Sequence, residues 1–466
     1  QFLGESFLLS LLGVLIALPL LLLALPYLNQ ITQADIRLSF LRDYRPWLML
    51  AGLVTVTGLV AGSYPAFYLS AFDAIKVLKG NFSNRTSATG IRRSLVVFQF
   101  VLSIVLVEGI IIIHSQLNYI NNKDLGFEKD QKLIFSFYTE DAQNKIPSVM
   151  NDLRQMSDVK AVSRSNNYLS QFVIFEHSVY LEGSDMTRGT NVQNITTDEN
   201  FAKANGIKLI SGRDFRLYDS GRVLINETLA KQLGLNPANA AGTKLYTQYA
   251  PAPPTFVEIT GVMKDFNYNS LHHDVKPFML VYDPKQGDLN NLTVAVNSAN
   301  YKQLLGKIES IWHKHLPDTP VEYAFLDEEV RKQYETEIVL SRIINSFTLI
   351  AIFISCLGLF GLATFSAEQR TKEIGVRKVL GASVLNLTSL LSKDFLKLVT
   401  IAIVIATPVA WWSLNNWLRQ FTYRIDISWW MFALAGFIAV FIALFTVSFQ
   451  AIKAAMANPI KSLRTE

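Results

Sequence analysis

Cysteine is almost absent from this chain of 466 residues: Cys356 is the single one. No intrachain disulfide can form, so every folded part must rest on its own core. Charge is also scarce, at 17% of residues, while half the residues are hydrophobic and mean hydropathy is positive. That balance excludes an ordinary soluble protein. The net charge of +5 is too small to point to nucleic acid. Phosphate-loop chemistry is missing as well. The nearest stretch, "QLLGKIES", lacks the first glycine and has no Ser or Thr after Lys307. His313 and His315 in "WHKH", and the pair His272–His273, have no acidic or cysteine partner at a metal-site spacing, so they read as surface histidines. The sequence predicts no catalytic residue, no metal and no cofactor bound by this chain.

What the chain does have is long apolar runs. Crossing a hydrocarbon core of about 30 Å takes roughly 20 helical residues. Six runs meet that requirement: Phe7–Tyr27, Trp47–Phe72, Ser94–Ile113, Ile343–Phe365, Phe395–Trp412 and Trp429–Phe449. The fifth is the shortest and carries Lys397 near one end. Cys356 lies inside the fourth, where it reads as a small buried hydrophobe. Between the third and fourth runs lies a long polar stretch, enough for one large domain or two small ones. The predicted fold class is a polytopic α-helical membrane protein with six transmembrane helices and one large extracytoplasmic mixed α/β domain.

Lysine and arginine collect in loops that stay in the cytoplasm. One side has Lys76, Lys79, Arg85, Arg92, Arg93, Arg370, Lys372, Arg377, Lys378, Lys393, Lys453, Lys461 and Arg464. The other has Arg37, Arg42, Arg45, Arg419 and Arg424. Both termini are therefore expected in the cytoplasm, and residues 115–340 outside.

The two ends of the chain repeat. "ESFLLSLLGVLIALP" and "KDFLKLVTIAIVIATP" each lead through a short outer loop and a second span to an Ile-Lys-x-Leu-Lys/Arg ending. Phe7 pairs with Phe395, Pro19 with Pro408, Ser63–Tyr64 with Ser448–Phe449, and Ile75–Lys76 with Ile460–Lys461. A proline inside each first span removes a backbone donor and is expected to kink the helix. Duplication then implies a preceding half upstream of Gln1, with an earlier copy of the charged stretch described below.

Within 115–340, "KLIFSFY", "HSVYLEG", "RVLINE", "TFVEITGVM", "FMLVYD" and "LTVAVN" read as strands, and 142–156, 227–234 and 301–315 as helices. "YAPAPPT" (249–255), "SGRDF" and "NPANAAGTK" read as loop punctuation. Asn194-Ile195-Thr196 matches a glycosylation triplet, a pattern too common in this chain to carry weight. At the ends of the domain, the helical pattern runs unbroken from Asp327 into the fourth span, and the third span runs on past His114 through Leu117 and Ile120. Two such helices would form a stalk, and a break at the membrane surface is the alternative. Glu108 is the one acid deep in an apolar run. Such a carboxylate is a proton-relay or cation-contact candidate. With no lysine or arginine partner in the spans, a hydrogen-bonded acid facing the bundle interior, near Gln99, Asn345 or the serines of another span, is the simpler reading.

"EQRTKEIGVRKVLGAS" (368–383) is the densest charge near the spans. As a helix it sets Glu368 before Lys372 and Glu373 before Arg377 in the favourable i,i+4 order. Ile374, Val376, Val379 and Leu380 form an apolar stripe, Gly381 a C-cap, and Ser383 an N-cap for the next span. Orientation alone would explain the cations, but not the glutamates, stripe or caps.

"AEQRTKEIGVRKVLGAS" closely resembles the cytoplasmic coupling helix of the FtsX/MacB superfamily of bacterial ABC-transporter permeases. "SGRDF" (211–215), "VLINETLAKQLG" (223–234) and "ITGVMKDFNYNSLH" (259–272) resemble the MacB-type periplasmic core domain. The resemblance implies four domains. Residues 1–91 would be a hairpin, the last two spans of a preceding FtsX-like unit, and 92–114 a transmembrane helix. Residues 115–340 would be the periplasmic core with helical stalks, and 341–466 a three-span domain bearing the coupling helix. It implies an inner-membrane permease subunit without catalysis of its own, with ATP bound by a separate cytoplasmic ABC ATPase. That ATPase would dock on Glu368, Arg370, Lys372, Glu373, Gly375, Arg377, Lys378, Leu380 and Gly381. ATP-driven movement would pass through the stalks to the outer domain (mechanotransmission), in export or extraction of a hydrophobic compound, peptide or lipoprotein. Further implied partners are a second permease unit, fused upstream or in a dimer, a periplasmic adaptor or outer-membrane component, and membrane lipid. Glu108 is not part of the pattern. A membrane-anchored sensor or structural protein, whose outer domain binds a ligand or partner, is the alternative, and it needs no ATPase dock.

Overall fold

The computed structural model describes residues 2–32, 34–37, 43–70, 85–171, 173, 176–247, 254–285, 289–370, 373, 376–378, 380 and 383–456. The chain divides into two compact units, one made of 1–114, 337–415 and 427–466, the other of 115–336 and 416–426.

The first unit is helical. Its elements are α1 (Phe2–Thr32), α2 (Arg45–Ser70), most of α3 (Arg85–Asn122), most of α9 (Glu335–Gln369), most of α10 (Val384–Leu418) and α11 (Trp429–Met456). Six helices among the described residues are long and apolar enough to cross a membrane: Leu3–Thr32, Arg45–Ser63, Gly90–Asn122, Glu335–Gln369, Thr388–Leu418 and Trp429–Gln450. Pro19 and Pro408 lie inside α1 and α10, both continuous helices. Small residues let neighbouring helices approach closely. Gly58 and Gly62 of α2 face Phe7 and Leu3 of α1 so tightly that a Cβ at either would sit 2.9 Å from those side chains. The core of α3, α9, α10 and α11 joins Phe100, Ile104 and Leu359 to a column of alanines: Ala402 and Ala406 on α10, Ala439 and Ala443 on α11. Cys356, on α9, is half-buried rather than fully enclosed.

The second unit is a mixed α/β domain. Its strands are β1 (Lys132–Ser136), β2 (Val159–Ser165), β3 (Glu176–Leu181), β4 (Thr190–Thr197), β5 (Leu209–Gly212), β6 (Arg222–Asn226), β7 (Lys244–Thr247), β8 (Thr255–Met263), β9 (Phe278–Tyr282), β10 (Asn291–Val296) and β11 (Tyr323–Phe325). Its helices are α4 (Glu140–Arg154), α5 (Phe201–Asn205), α6 (Glu227–Gln232), α7 (Tyr301–His315) and α8 (Leu326–Lys332). All six predicted strand stretches form strands. The helices predicted at 142–156, 227–234 and 301–315 are α4, α6 and α7. "QLLGKIES" lies on α7 with Leu304 and Ile308 buried, so it is a helix face and no loop that could cradle phosphate.

Strand pairing runs β11-β1-β10-β2-β4-β3-β7-β8-β6-β9, and β9 returns to pair in parallel with β4. The strands β4, β3, β7, β8, β6 and β9 thus close into a ring, which removes their free edges. From the ring extends an arm of β2, β10, β1 and β11. One face of that arm is covered by α4 and α7, with Trp312 against Phe135 at 5.7 Å. The arm and ring meet through one register pair, Ser165 with Thr197.

The predicted unbroken helix from Asp327 is corrected. α8 stops at Lys332 and α9 starts at Glu335. The two residues between are anchored in the domain. Tyr334, almost fully buried, accepts from Leu271 N at 2.8 Å, and the Gln333 carboxamide donates to Ser170 O at 2.8 Å. By contrast, α3 continues without a break past His114 to Asn122, about 57 Å of helix.

Candidate coupling segment and the joints of the outer domain

The predicted docking residues begin at the end of α9. Glu368 is exposed on its last turn. Arg370 is half-buried and turned inward: its guanidinium pairs with Asp394 of α10 at 2.9 Å. Glu373 and Arg377 form the expected i,i+4 ion pair at 2.8 Å, each nearly half exposed. At that exposure such a pair contributes about 0.3–0.5 kcal/mol. Leu380 N bonds Val376 O at 3.0 Å, one helical turn. Val376 and Leu380 present apolar side chains to the surface, Leu380 at 80% exposure. Lys378 is half-buried. Ser383 caps α10 as expected, its hydroxyl accepting from Asn386 N at 3.2 Å. Lys372, Gly375 and Gly381, with Ile374 and Val379 of the stripe, lie outside the described residues. So do the repeat ends Ile75–Lys76 and Ile460–Lys461, and most of "YAPAPPT".

Glu108 is fully buried in α3, and Thr407 of α10 donates to its Oε1 at 3.1 Å. It faces the bundle interior, with a threonine partner instead of Gln99, Asn345 or a serine. Ser103 and Ser355 share a buried hydrogen bond of 2.9 Å between α3 and α9, and Gly358 leaves the space that the Gln99 carboxamide fills.

In the α/β domain the three motif stretches converge on β8. Gly212 adopts φ +74°, and a Cβ there would collide with Thr260 O and lie 2.5 Å from Gly261 Cα. Only glycine tolerates both demands. Arg213 forks onto Asp219 at 2.6 and 3.0 Å, and Arg222 adds a third bond at 3.1 Å. These cations hold the Asp219 carboxyl below its usual range. Asn226 caps α6, and Thr228 donates its N–H and hydroxyl to Asp265 at 3.0 and 2.8 Å. "SGRDF", "VLINETLAKQLG" and "ITGVMKDFNYNSLH" are therefore scaffold: each supplies one seam of a joint around β8.

Two joints had no signal in local sequence. Asp198, buried, accepts from Ser163 Oγ, Arg164 N and Asn200 N at 2.7–3.0 Å and staples the arm to the ring. Burial pushes its carboxyl up to about 6, against those hydrogen bonds. The second joint is the segment 416–426. Phe421, 1% exposed, sits in the domain core, stacked on His272 at 4.1 Å and edge-on to Trp417 at 5.1 Å. His272 Nδ1 donates to Gln420 O, Thr422 Oγ1 donates to His272 O, and Tyr423 N donates to Leu271 O. Gln116, fully buried on α3, clamps the segment with both ends of its amide: Nε2 donates to Tyr423 O at 3.0 Å and Oε1 accepts from Ile425 N at 2.9 Å. His315 bonds Asp152 at 2.9 Å, and His313 lies 3.9 Å from Glu309. Among the described residues no three His, Cys, Asp or Glu side chains gather as a metal site.

Residues 345–459, which contain the charged segment, match the family model of the FtsX-like permease C-terminal domain. An uncharacterized ABC transporter permease, YknZ of Bacillus subtilis (strain 168), is 24% identical over 197 residues, covering 40% of this chain. The chain spans about half, 48%, of that relative's length. Among solved structures, a domain of a putative permease protein from Porphyromonas gingivalis shares 16% identity over 42% of this chain and 90% of its own, at a TM-score of 0.31. The extracellular domain of the noncanonic ABC-type transporter YknZ from Gram-positive bacteria shares 15% over 41% of this chain and 96% of its own, at 0.27. Residues 345–459 are an FtsX-like permease domain, and the chain is similar over part of its length to an ABC transporter permease.

Proposed function

We infer that this chain is the membrane subunit of an ABC transporter in the bacterial inner membrane, with both termini cytoplasmic and the α/β domain outside. A separate ATPase docks on 368–383, and its cycle of ATP binding and hydrolysis moves the spans and, through them, the outer domain. The observation that carries this reading is the surface of that segment within the permease match. It holds a Glu373–Arg377 pair beside exposed Val376 and Leu380. An apolar center rimmed by charge is what a protein partner recognises. Export or extraction of a hydrophobic compound, peptide or lipoprotein is the work such coupling would serve. A second permease unit would complete the pair that two ATPases require.

The test is whether a Walker-A ATPase is encoded beside this chain and co-purifies with the full chain. Arg377→Glu reverses the charge at the center of the surface and is expected to reduce association at least tenfold while the chain still inserts. Unchanged association and unchanged ATPase stimulation would overturn the docking assignment.

A further inference from the structure

One face of α10 is solved by the bundle and the other is not. Val399, Ala402, Ala406 and Ala410 are fully buried in the helical core. The opposite face presents a shallow, open strip, a groove lined by Lys393, Lys397, Thr400, Ile401, Val404 and Ile405, all on α10. Lys393 and Lys397 are one turn apart on the same side, and both are exposed. Among the described residues neither meets a carboxylate. The nearest acid in sequence, Asp394, is committed to Arg370.

Lys397 lies inside the apolar run that starts at Phe395, about 6 Å further along the axis than Lys393. An ammonium at that depth is costly unless it reaches water or an anion. Two like charges one turn apart on a helix also repel. A single anion between them removes both penalties. Beyond the lysines the groove becomes apolar: Ile401, Val404 and Ile405 are 49%, 68% and 46% exposed. Cations at the mouth and an aliphatic floor along the helix match one kind of molecule, with an anionic head and a hydrocarbon tail.

We propose that the Lys393–Lys397 groove of α10 binds a diacyl phospholipid of net negative charge. Its phosphate sits between the two ammonium groups and one acyl chain lies along Ile401, Val404 and Ile405. The inference depends on α10 crossing the bilayer and not on ATPase docking, so the two can fail separately.

The experiment uses the full chain purified in neutral detergent, with phosphatidylglycerol or phosphatidylcholine added, and native mass spectrometry to count retained lipid. Wild type and the Lys393→Arg/Lys397→Arg variant should retain phosphatidylglycerol. The Lys393→Gln/Lys397→Gln variant should lose at least tenfold in retention, while Lys453→Gln, on α11, should not. Val404→Trp, which fills the groove and keeps both charges, should also lose retention. Equal retention of phosphatidylglycerol and phosphatidylcholine would overturn the proposal. So would wild-type retention by the double glutamine variant, or competition by free glycerol phosphate, which has no tail.

Discussion

Phe421→Ala should release the segment 416–426 from the α/β domain without unfolding the domain. The phenylalanine is 1% exposed and wedged between His272 and Trp417 in the core that also holds Leu271 and Tyr334. Removing a buried aromatic ring of this kind costs about 3–5 kcal/mol. The segment is otherwise held by a few bonds: Tyr423 N to Leu271 O at 3.3 Å, Thr422 Oγ1 to His272 O at 3.1 Å, and the Gln116 clamp on Tyr423 and Ile425. Each such bond contributes about 1 kcal/mol net, so without the ring the segment should open locally. Hydrogen exchange of the full chain in lipid nanodiscs reads this directly. The Tyr423 and Ile425 amides should lose about two to three orders of magnitude of protection in Phe421→Ala. Amides of β1 and β10, whose core is built around Trp312, should keep theirs. Phe421→Leu, which retains most of the apolar volume, should fall between. If Tyr423 and Ile425 exchange at the wild-type rate in the alanine variant, Phe421 is not what anchors the segment. If β1 and β10 lose protection equally, the segment is not a separable joint.

Two other sites give sharper outcomes. Asp198 has a folded value of about 6 against an ordinary 3.8. The folded state therefore binds its proton more tightly; that stabilisation is complete below about pH 4 and is lost as pH rises through about 6, a change of up to about 3 kcal/mol. Denaturant unfolding should show Asp198→Asn gaining on wild type between pH 4 and 7, and a difference independent of pH would refute the assignment. In the spans, Glu108→Gln keeps an acceptor for Thr407 and should leave thermal stability in detergent within about 1 kcal/mol of wild type, whereas Glu108→Ala should cost about 2–4 kcal/mol. If the proposed coupling operates, loss of partner ATPase stimulation in a stable Glu108→Gln variant would show that the carboxyl does more than pack.

What the sequence disclosed followed the range of the interaction involved. The apolar runs, the strands "RVLINE", "TFVEITGVM" and "LTVAVN", the Glu373–Arg377 pair and the Ser383 cap are all set by neighbours within a turn or a strand. Their residue types announce them. β4 was missed for the opposite reason: in "TNVQNITT" the side chains of Gln193, Asn194, Thr196 and Thr197 are polar yet buried, because both faces of the strand are covered where the ring closes. The same burial places Asn194 in a strand core. Arg370 was grouped with the docking cations by its place in the motif, but its partner Asp394 is 24 residues away.

The segment 416–426 makes the strongest case that loop length says little about loop function. In sequence it is a short link between two apolar runs, with Arg419 and Arg424 as its only marked features. In the fold, its two ends belong to α10 and the approach to α11, while Phe421 in its middle is buried in the core of the domain. α3 is tied to the same point through Gln116, which spends its whole amide on the segment's backbone. Tyr334, at the entry to α9, shares that core and bonds Leu271, whose carbonyl receives Tyr423 N. Within this unit Leu271, His272, Tyr334 and Phe421 thus form one cluster, to which Gln116 of α3 and the first residues before α9 are bonded. If the proposed coupling operates, the stroke reaches the domain here, and weakening the cluster should uncouple motion from ATP turnover before it unfolds anything.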